Sequence, residues 1–277
     1  MINSKTLNVH KKGEVLYLTF PKIEAARGVL HAFSTRLGGV SGGHCAKMNF
    51  SFSLDSSNDA VLENFKIFAN AFGADFNKLT LSKQTHTKNV KIVTPKDIGK
   101  GVTKELDYTD VDGLITNIKG AVLVTQYADC TPLAFYDPVK GVVATSHAGW
   151  RGTVADIGGE TVKLMAENFG CNPKDIICGI GPNIGKCCYE VDDPVISAIN
   201  KLSLIDELAC YTEKGNGKYM LDLKETNRQL LVKAGILPEN IDVADLCTCC
   251  NSDIFHSHRA TAGKRGTLAL MIALEEG

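Results

Sequence analysis

Two short apolar runs joined by a tight turn constrain this chain more than any other stretch. Leu133–Tyr136 reads as a strand and Asp137-Pro-Val-Lys-Gly141 as a turn, where Pro138 fixes φ and Gly141 can supply a positive one. The β-branched run Val142–Thr145 reads as the returning strand. Pairing Tyr136 with Val142 predicts Leu133 opposite Thr145, Thr131 opposite His147 and Cys130 opposite Ala148. Opposed residues in such a ladder lie about 4.5–5.5 Å apart at Cα. A thiol and an imidazole therefore leave the open end of the hairpin together, as a metal site or as a nucleophile with its base.

Around this hairpin, strand and helix signals mix along the whole chain. Val15–Phe20 and His31–Thr35 read as strands, and Arg36-Leu-Gly-Gly-Val-Ser-Gly-Gly43 as an open loop whose amides could wrap an anion. Asp55–Asp59 opens a helix with Val61, Leu62, Phe65, Phe68, Ala69 and Phe72 on one face, closed by Gly73. Val90–Val93, Leu114–Thr116 and Ala121–Tyr127 read as strands. A helix is expected from Gly149 to Gly170, with a positive dipole end beside His147. Asp175–Ile180 and Ile241–Val243 read as strands, Val195–Leu202 and Leu221–Ala234 as helices, and Lys214-Gly-Asn-Gly217 as a turn. A last helix is expected from about Thr267. With no internal repeat and no low-complexity linker, one α/β domain with mixed sheets over residues 1–277 is the expected architecture.

The 277 residues suffice for a substantial core. A net charge of −1 with scattered Lys and Arg argues against nucleic acid as a partner. No apolar run approaches the roughly 20 residues needed to span a bilayer. The N-terminus has no signal-peptide core, so a cytoplasmic protein is expected. There the ten Cys would be reduced and act as core residues, ligands or nucleophiles.

Four clusters carry candidate chemistry. His86, Cys130 and His147 offer the three-ligand pattern of a catalytic zinc site, although spacing alone does not bring in His86. Alternatively Cys130 is a thiolate with His147 as its base and Asp129 or Thr131 orienting them. Cys187, Cys188, Cys247, Cys249 and Cys250 could form a structural cage. They lack the paired Cys-x-x-Cys spacing that marks one and read as buried thiols. His256 and His258, in a strand, would face one side.

Several stretches together resemble one family: Arg36-Leu-Gly-Gly-Val-Ser41, Gln84-Thr-His86, Ala128-Asp-Cys130-Thr-Pro132, His147-Ala-Gly-Trp-Arg-Gly152, Gly179-Ile-Gly-Pro182 with Cys187-Cys-Tyr-Glu-Val191, and Ser257-His-Arg259. Their order and content resemble the YfiH-like laccase-domain family, also called the purine nucleoside phosphorylase or polyphenol oxidase YfiH family. The resemblance runs from about residue 28 to the C-terminus and implies an α/β/β/α sandwich with zinc on His86, Cys130 and His147. It departs from the family pattern at Thr87, where Gly is usual, and at Lys264-Arg265-Gly266, where the order is altered.

The resemblance implies phosphorolysis of adenosine, inosine, guanosine and methylthioadenosine, and deamination of adenosine. A purine nucleoside and phosphate would be the partners of a monomer or homodimer. Arg36 with its glycine loop, Arg151 and Arg259 are the phosphate candidates, and Asp129 and Gln84 the candidates for orienting the metal ligands or the base. A thiol hydrolase acting on a peptidoglycan precursor or protein amide is the rival, and a purely structural metal the non-enzymatic alternative. Copper-dependent oxidation fits least, because only one His-x-His pair stands among seven His.

Overall fold

A computed structural model of the protein describes residues 2–55, 57–202 and 206–276. In chain order the elements are β1 (Asn8–Lys12), β2 (Val15–Thr19), α1 (Pro21–Ala26), β3 (Val29–Ser34), α2 (Asn58–Phe72), β4 (Leu79–Leu81), β5 (Val90–Ile92), β6 (Gly113–Thr116), β7 (Val122–Tyr127), β8 (Thr131–Asp137) and β9 (Val142–Ala148). Then follow α3 (Trp150–Val154), α4 (Ile157–Phe169), β10 (Ile177–Ile180), β11 (Glu190–Asp192), α5 (Asp193–Ile199), α6 (Glu207–Cys210), β12 (Tyr211–Gly215), β13 (Lys218–Leu221), α7 (Leu223–Lys233), β14 (Ile241–Val243) and β15 (Leu268–Leu274).

Among the described residues the strands form two six-stranded sheets, ordered β1-β2-β3-β15-β7-β4 and β14-β10-β8-β9-β6-β5, and a small sheet β11-β13-β12. The two large sheets face each other across Leu18, Phe33, Leu123, Leu268 and Leu270 from the first and Leu114, Ala134, Tyr136 and Val143 from the second. Helix α2 covers the outer face of the first sheet with Val61, Phe65, Phe68 and Phe72. Helices α4 and α7 cover the second with Ile157, Val162, Met165 and Leu231. The result is the α/β/β/α sandwich. Helix α2 starts on a side-chain cap from Ser57 to the Ala60 amide and stops at Gly73, whose φ of 87° is left-handed. Ser56, within the expected helix start, lies outside the described residues. Among the described residues no helix is long and apolar enough to cross a membrane.

Three expectations are corrected. The hairpin register is one residue off: Tyr136 pairs with Val143, Leu133 with Ser146, Pro132 with His147 and Thr131 with Ala148. Asp137 is itself in the ladder, opposite Val142. Its carboxylate accepts the amides of Val139 and Lys140, and its carbonyl accepts the Gly141 amide, which closes a four-residue loop. The shift has a consequence for chemistry. Opposed residues share a face and neighbours alternate. Pro132 opposite His147 therefore puts Cys130, two residues earlier, on the His147 face.

The expected helix from Gly149 breaks at Asp156, whose φ is 57° and whose carboxylate accepts the Gly159 amide to start α4 afresh. The expected C-terminal helix is the strand β15, paired with β3 and β7 at the centre of the first sheet. Leu268, Leu270, Ile272 and Leu274 point into the inter-sheet core, and Ala269, Met271 and Ala273 point under α2. Both faces are apolar, so no polar alternation betrays the period of two.

Candidate metal centre and its cavity

The chain changes sheets between β7 and β8, and the site stands at that crossing. Tyr127 ends a strand of the first sheet and Thr131 starts one of the second. Asp129, at φ 87°, makes the turn between them. Its carboxylate accepts from Thr248 Oγ1 (2.6 Å), Ser257 Oγ (3.0 Å) and the Arg259 amide (2.7 Å), which offsets the cost of the left-handed backbone. Cys130 follows, half-buried, one residue beyond the ladder.

His86 comes from the loop between β4 and β5, and Asp112, just before β6, organises it. The Asp112 carboxylate is fully buried and accepts the amides of Thr85, His86 and Thr87, the Thr87 hydroxyl, and Nδ1 of His147 at 2.9 Å. These bonds hold His86 at φ 68° and fix the His147 ring with Nε2 as its free nitrogen. Nothing in the sequence marks Asp112 except an acidic residue set directly against an apolar strand.

The donor atoms of His86, Cys130 and His147 all lie within 4.8 Å of one another, and His86 Nε2 is 4.0 Å from Cys130 Sγ. A tetrahedral metal with bonds of about 2.0–2.3 Å needs donors roughly 3.5 Å apart, so a small contraction closes the group on an ion. The backbone leaves room for the ligands: a Cβ on Gly149 would stand 2.9 Å from His86 Cδ2 and 3.0 Å from Cys130 Sγ. The donors are two imidazoles and a soft sulfur, a set that suits a borderline divalent cation. Burial opposes ionisation of Cys130 and His147, but each is outweighed by the other's charge and, for His147, by Asp112. The thiol is pulled down to about 6 and the imidazole up to about 9. Burial also works to raise Asp112, and its bonds to His147, Thr87 and Thr85 outweigh that and hold it at about 2.

The three donors open into a cavity of about 480 Å³. Its walls carry Trp150, Tyr189 and Leu223 on the apolar side and the cations Lys83, Arg151, Arg259 and Arg265. Arg151 lies over the Trp150 ring at 4.3 Å. Arg259 lies 5.5 Å from the Tyr189 ring and donates to the carbonyls of Cys188 and Glu190. Arg265 Nε is buried with no hydrogen-bond partner among the described residues, and its NH1 reaches only the Gly266 carbonyl at 3.4 Å. Gln84 lines the cavity, with its amide clamped on the backbone NH and CO of Gln126.

Arg36 is placed elsewhere. Its guanidinium donates to the carbonyls of Ala46 and Ser252, and it does not line the cavity. The glycine loop spends its amides internally: Val40 on Asn64 Oδ1 and Ser41 on the Lys47 carbonyl. A Cβ on Gly39 would stand 2.4 Å from Met48 Cα, so this loop is packed against backbone instead of being open to an anion. His256 and His258 do not share a face. No strand forms there; His256 is buried, bonded to Met48 O and the Gly266 amide, while His258 is exposed at the cavity.

Fold and site together define an α/β/β/α protein whose cavity, at a crossing between sheets, holds a three-donor group able to take a metal. Residues 30–275 match the family model described as multi-copper polyphenol oxidoreductase laccase, and the chain belongs to that family. It is 39% identical over 249 residues to the Bacillus subtilis protein named purine nucleoside phosphorylase YlmD, covering 90% of this chain and 89% of that one. It is 32% identical over 242 residues to a protein named adenosine deaminase RL5, from an unknown prokaryotic organism, covering 86% and 92%. Among solved structures, the hypothetical protein YfiH of Bacillus licheniformis superposes with a TM-score of 0.91 at 36% identity, over 98% of this chain and all of that one.

Proposed function

We propose that the chain is a zinc-dependent purine nucleoside enzyme that cleaves adenosine, inosine, guanosine and methylthioadenosine with phosphate to base and ribose 1-phosphate, and deaminates adenosine. The observation that carries this reading is the meeting of the His86–Cys130–His147 group with four cations and aromatic walls in one cavity. The names of the relatives at 39% and 32% identity support it.

Zinc fits the donors better than a copper cluster does. Among the described residues the only other group able to hold a metal is made of Cys alone, so nothing supplies the several imidazoles of a multicopper centre. When bound, zinc would act as a Lewis acid in the cavity. Asp112 keeps His147 in the tautomer that presents Nε2 and holds the His86 loop. Arg265, with an unspent buried Nε, and Arg151 serve the phosphate; Arg259 fixes the wall beside it. Trp150 and Tyr189 offer flat faces to a purine. Phosphate attacks C1′ as the bond from C1′ to the base breaks, the electron pair leaving with the purine, which then takes a proton. Fixed cations beside both anions lower that barrier.

Supplying inosine with and without phosphate tests the reading. Zinc-loaded protein should release hypoxanthine and ribose 1-phosphate only with phosphate present, and convert adenosine to inosine without it. No product from zinc-loaded protein overturns it. The Cys130–His147–Asp112 alignment also supports a second reading, a thiol hydrolase. That reading requires full activity after chelation and rapid loss with iodoacetamide.

A further inference from the structure

Behind the cavity wall lies a second group of soft donors that the proposed reaction does not use. The sulfurs of Cys187, Cys188, Cys247 and Cys250 all lie within 4.8 Å of one another. Cys250 Sγ stands 3.5 Å from Cys187 Sγ and 3.4 Å from Cys188 Sγ. These four do not behave as core thiols, because Cys187 and Cys250 are exposed and only Cys247 is buried. They do not behave as a disulfide pair either: a bond needs about 2.05 Å, and Cys250 is shared nearly equally between two partners.

The backbone around Cys247 is built for an ionised sulfur. Cys247 Sγ accepts the amides of Gly185 at 3.1 Å and Cys250 at 3.5 Å. Amide donors on a sulfur favour its thiolate form. A Cβ on Gly185 would meet Cys247 Cβ at 3.1 Å and Cys187 Sγ at 3.2 Å, so only glycine lets this amide reach the cluster without displacing it. Lys224 donates to the Leu246 carbonyl, one residue from Cys247, and places a cation beside the group. Cys247 and Cys250 have one Cys-x-x-Cys spacing, short of the paired motif. The second Cys-x-x-Cys is replaced by the adjacent pair Cys187-Cys188.

We propose that these four cysteines form a second metal site, a tetrathiolate that binds one zinc ion with loss of four thiol protons. Four sulfurs at about 2.3 Å from one ion stand roughly 3.8 Å apart, close to the spacings here. The site clamps two loops that shape the cavity. Thr248, inside the Cys247–Cys250 loop, donates to Asp129 beside Cys130. The Cys188 carbonyl holds Arg259, and Tyr189 follows directly as cavity wall.

Zinc counting on the purified full-length protein, followed by cobalt substitution, tests this. The wild-type protein should carry two zinc equivalents per chain, and the cobalt form should show the intense sulfur-to-metal charge transfer of a four-sulfur site. Cys250→Ser should lose one equivalent and that spectrum, while Cys130→Ser should lose the other equivalent and keep it. One equivalent in the wild type that disappears with Cys130→Ser overturns the proposal. So does a disulfide between Cys250 and Cys187 or Cys188 found by mass spectrometry. The wild-type count stands without any variant, so misfolding of Cys250→Ser does not obscure the result. Because the four-sulfur spectrum is independent of turnover, its failure is distinct from failure of the nucleoside reading.

Discussion

At the scale of single residues, Asp112 carries the site. Two carboxylate oxygens serve three amides, one hydroxyl and one imidazole. Asp112→Asn keeps the shape but turns an NH₂ towards donors, leaving buried groups unpaired. Metal affinity should fall by about 10–100-fold, measured by competition with a chromophoric chelator; unchanged affinity would remove Asp112 from the account. Gly149→Ala makes a different break. The backbone there, at φ −66°, tolerates any residue, but the new Cβ presses on both His86 and Cys130. Metal should be lost while the melting temperature of the chelated protein stays within a few degrees of wild type. Cys130 and His147 were legible as a pair because a hairpin must bring them together. Asp112 was not, since a buried acid and a turn acid look alike until their partners are known.

At the scale of elements, the period of two decided most of the fold and failed where both faces are apolar. Strands β8 and β9 were legible from their β-branched and aromatic content and the Pro-Gly turn. Their register was not, because Asp137 belongs to the ladder and its side chain holds a loop one residue shorter than the turn residues suggest. Strand β15 was missed because Leu, Met and Ala are good helix formers and the choice is made by two sheets and a helix closing on them. Its large residues face the inter-sheet core and its small ones face α2. Leu270→Ala should therefore cost about 2–5 kcal/mol in urea unfolding, from a fully buried side chain at the centre of the sheet. A loss below about 1 kcal/mol would show that the inter-sheet core does not depend on this strand.

At the scale of the whole molecule, two buried histidines tie stability to pH. His31 Nε2 accepts the Phe20 amide, and His256 Nδ1 accepts the Gly266 amide. Each ring is neutral in that state, and protonation would put a second N–H against the amide. Burial, the largest cause, pulls His31 down to about 4 and His256 to about 3, from 6.5. The unfolded chain thus binds these protons first. The contribution is whole above pH 6.5 and drains as pH falls towards 4 and 3, by roughly 3 kcal/mol for His31 and roughly 5 kcal/mol for His256. Urea midpoints measured from pH 7.5 to 4.5 should fall steadily, and less steeply in His256→Gln. Equal slopes in the two proteins would contradict the assignment.

The central claim is that a metal on His86, Cys130 and His147 drives purine nucleoside cleavage. Metal-free protein titrated with zinc tests it most directly, with phosphate-dependent release of hypoxanthine from inosine followed against zinc bound at this site. Activity should be absent without metal, rise in proportion to occupancy, and never appear in Cys130→Ser. Full cleavage by metal-free protein, abolished by iodoacetamide, would contradict it.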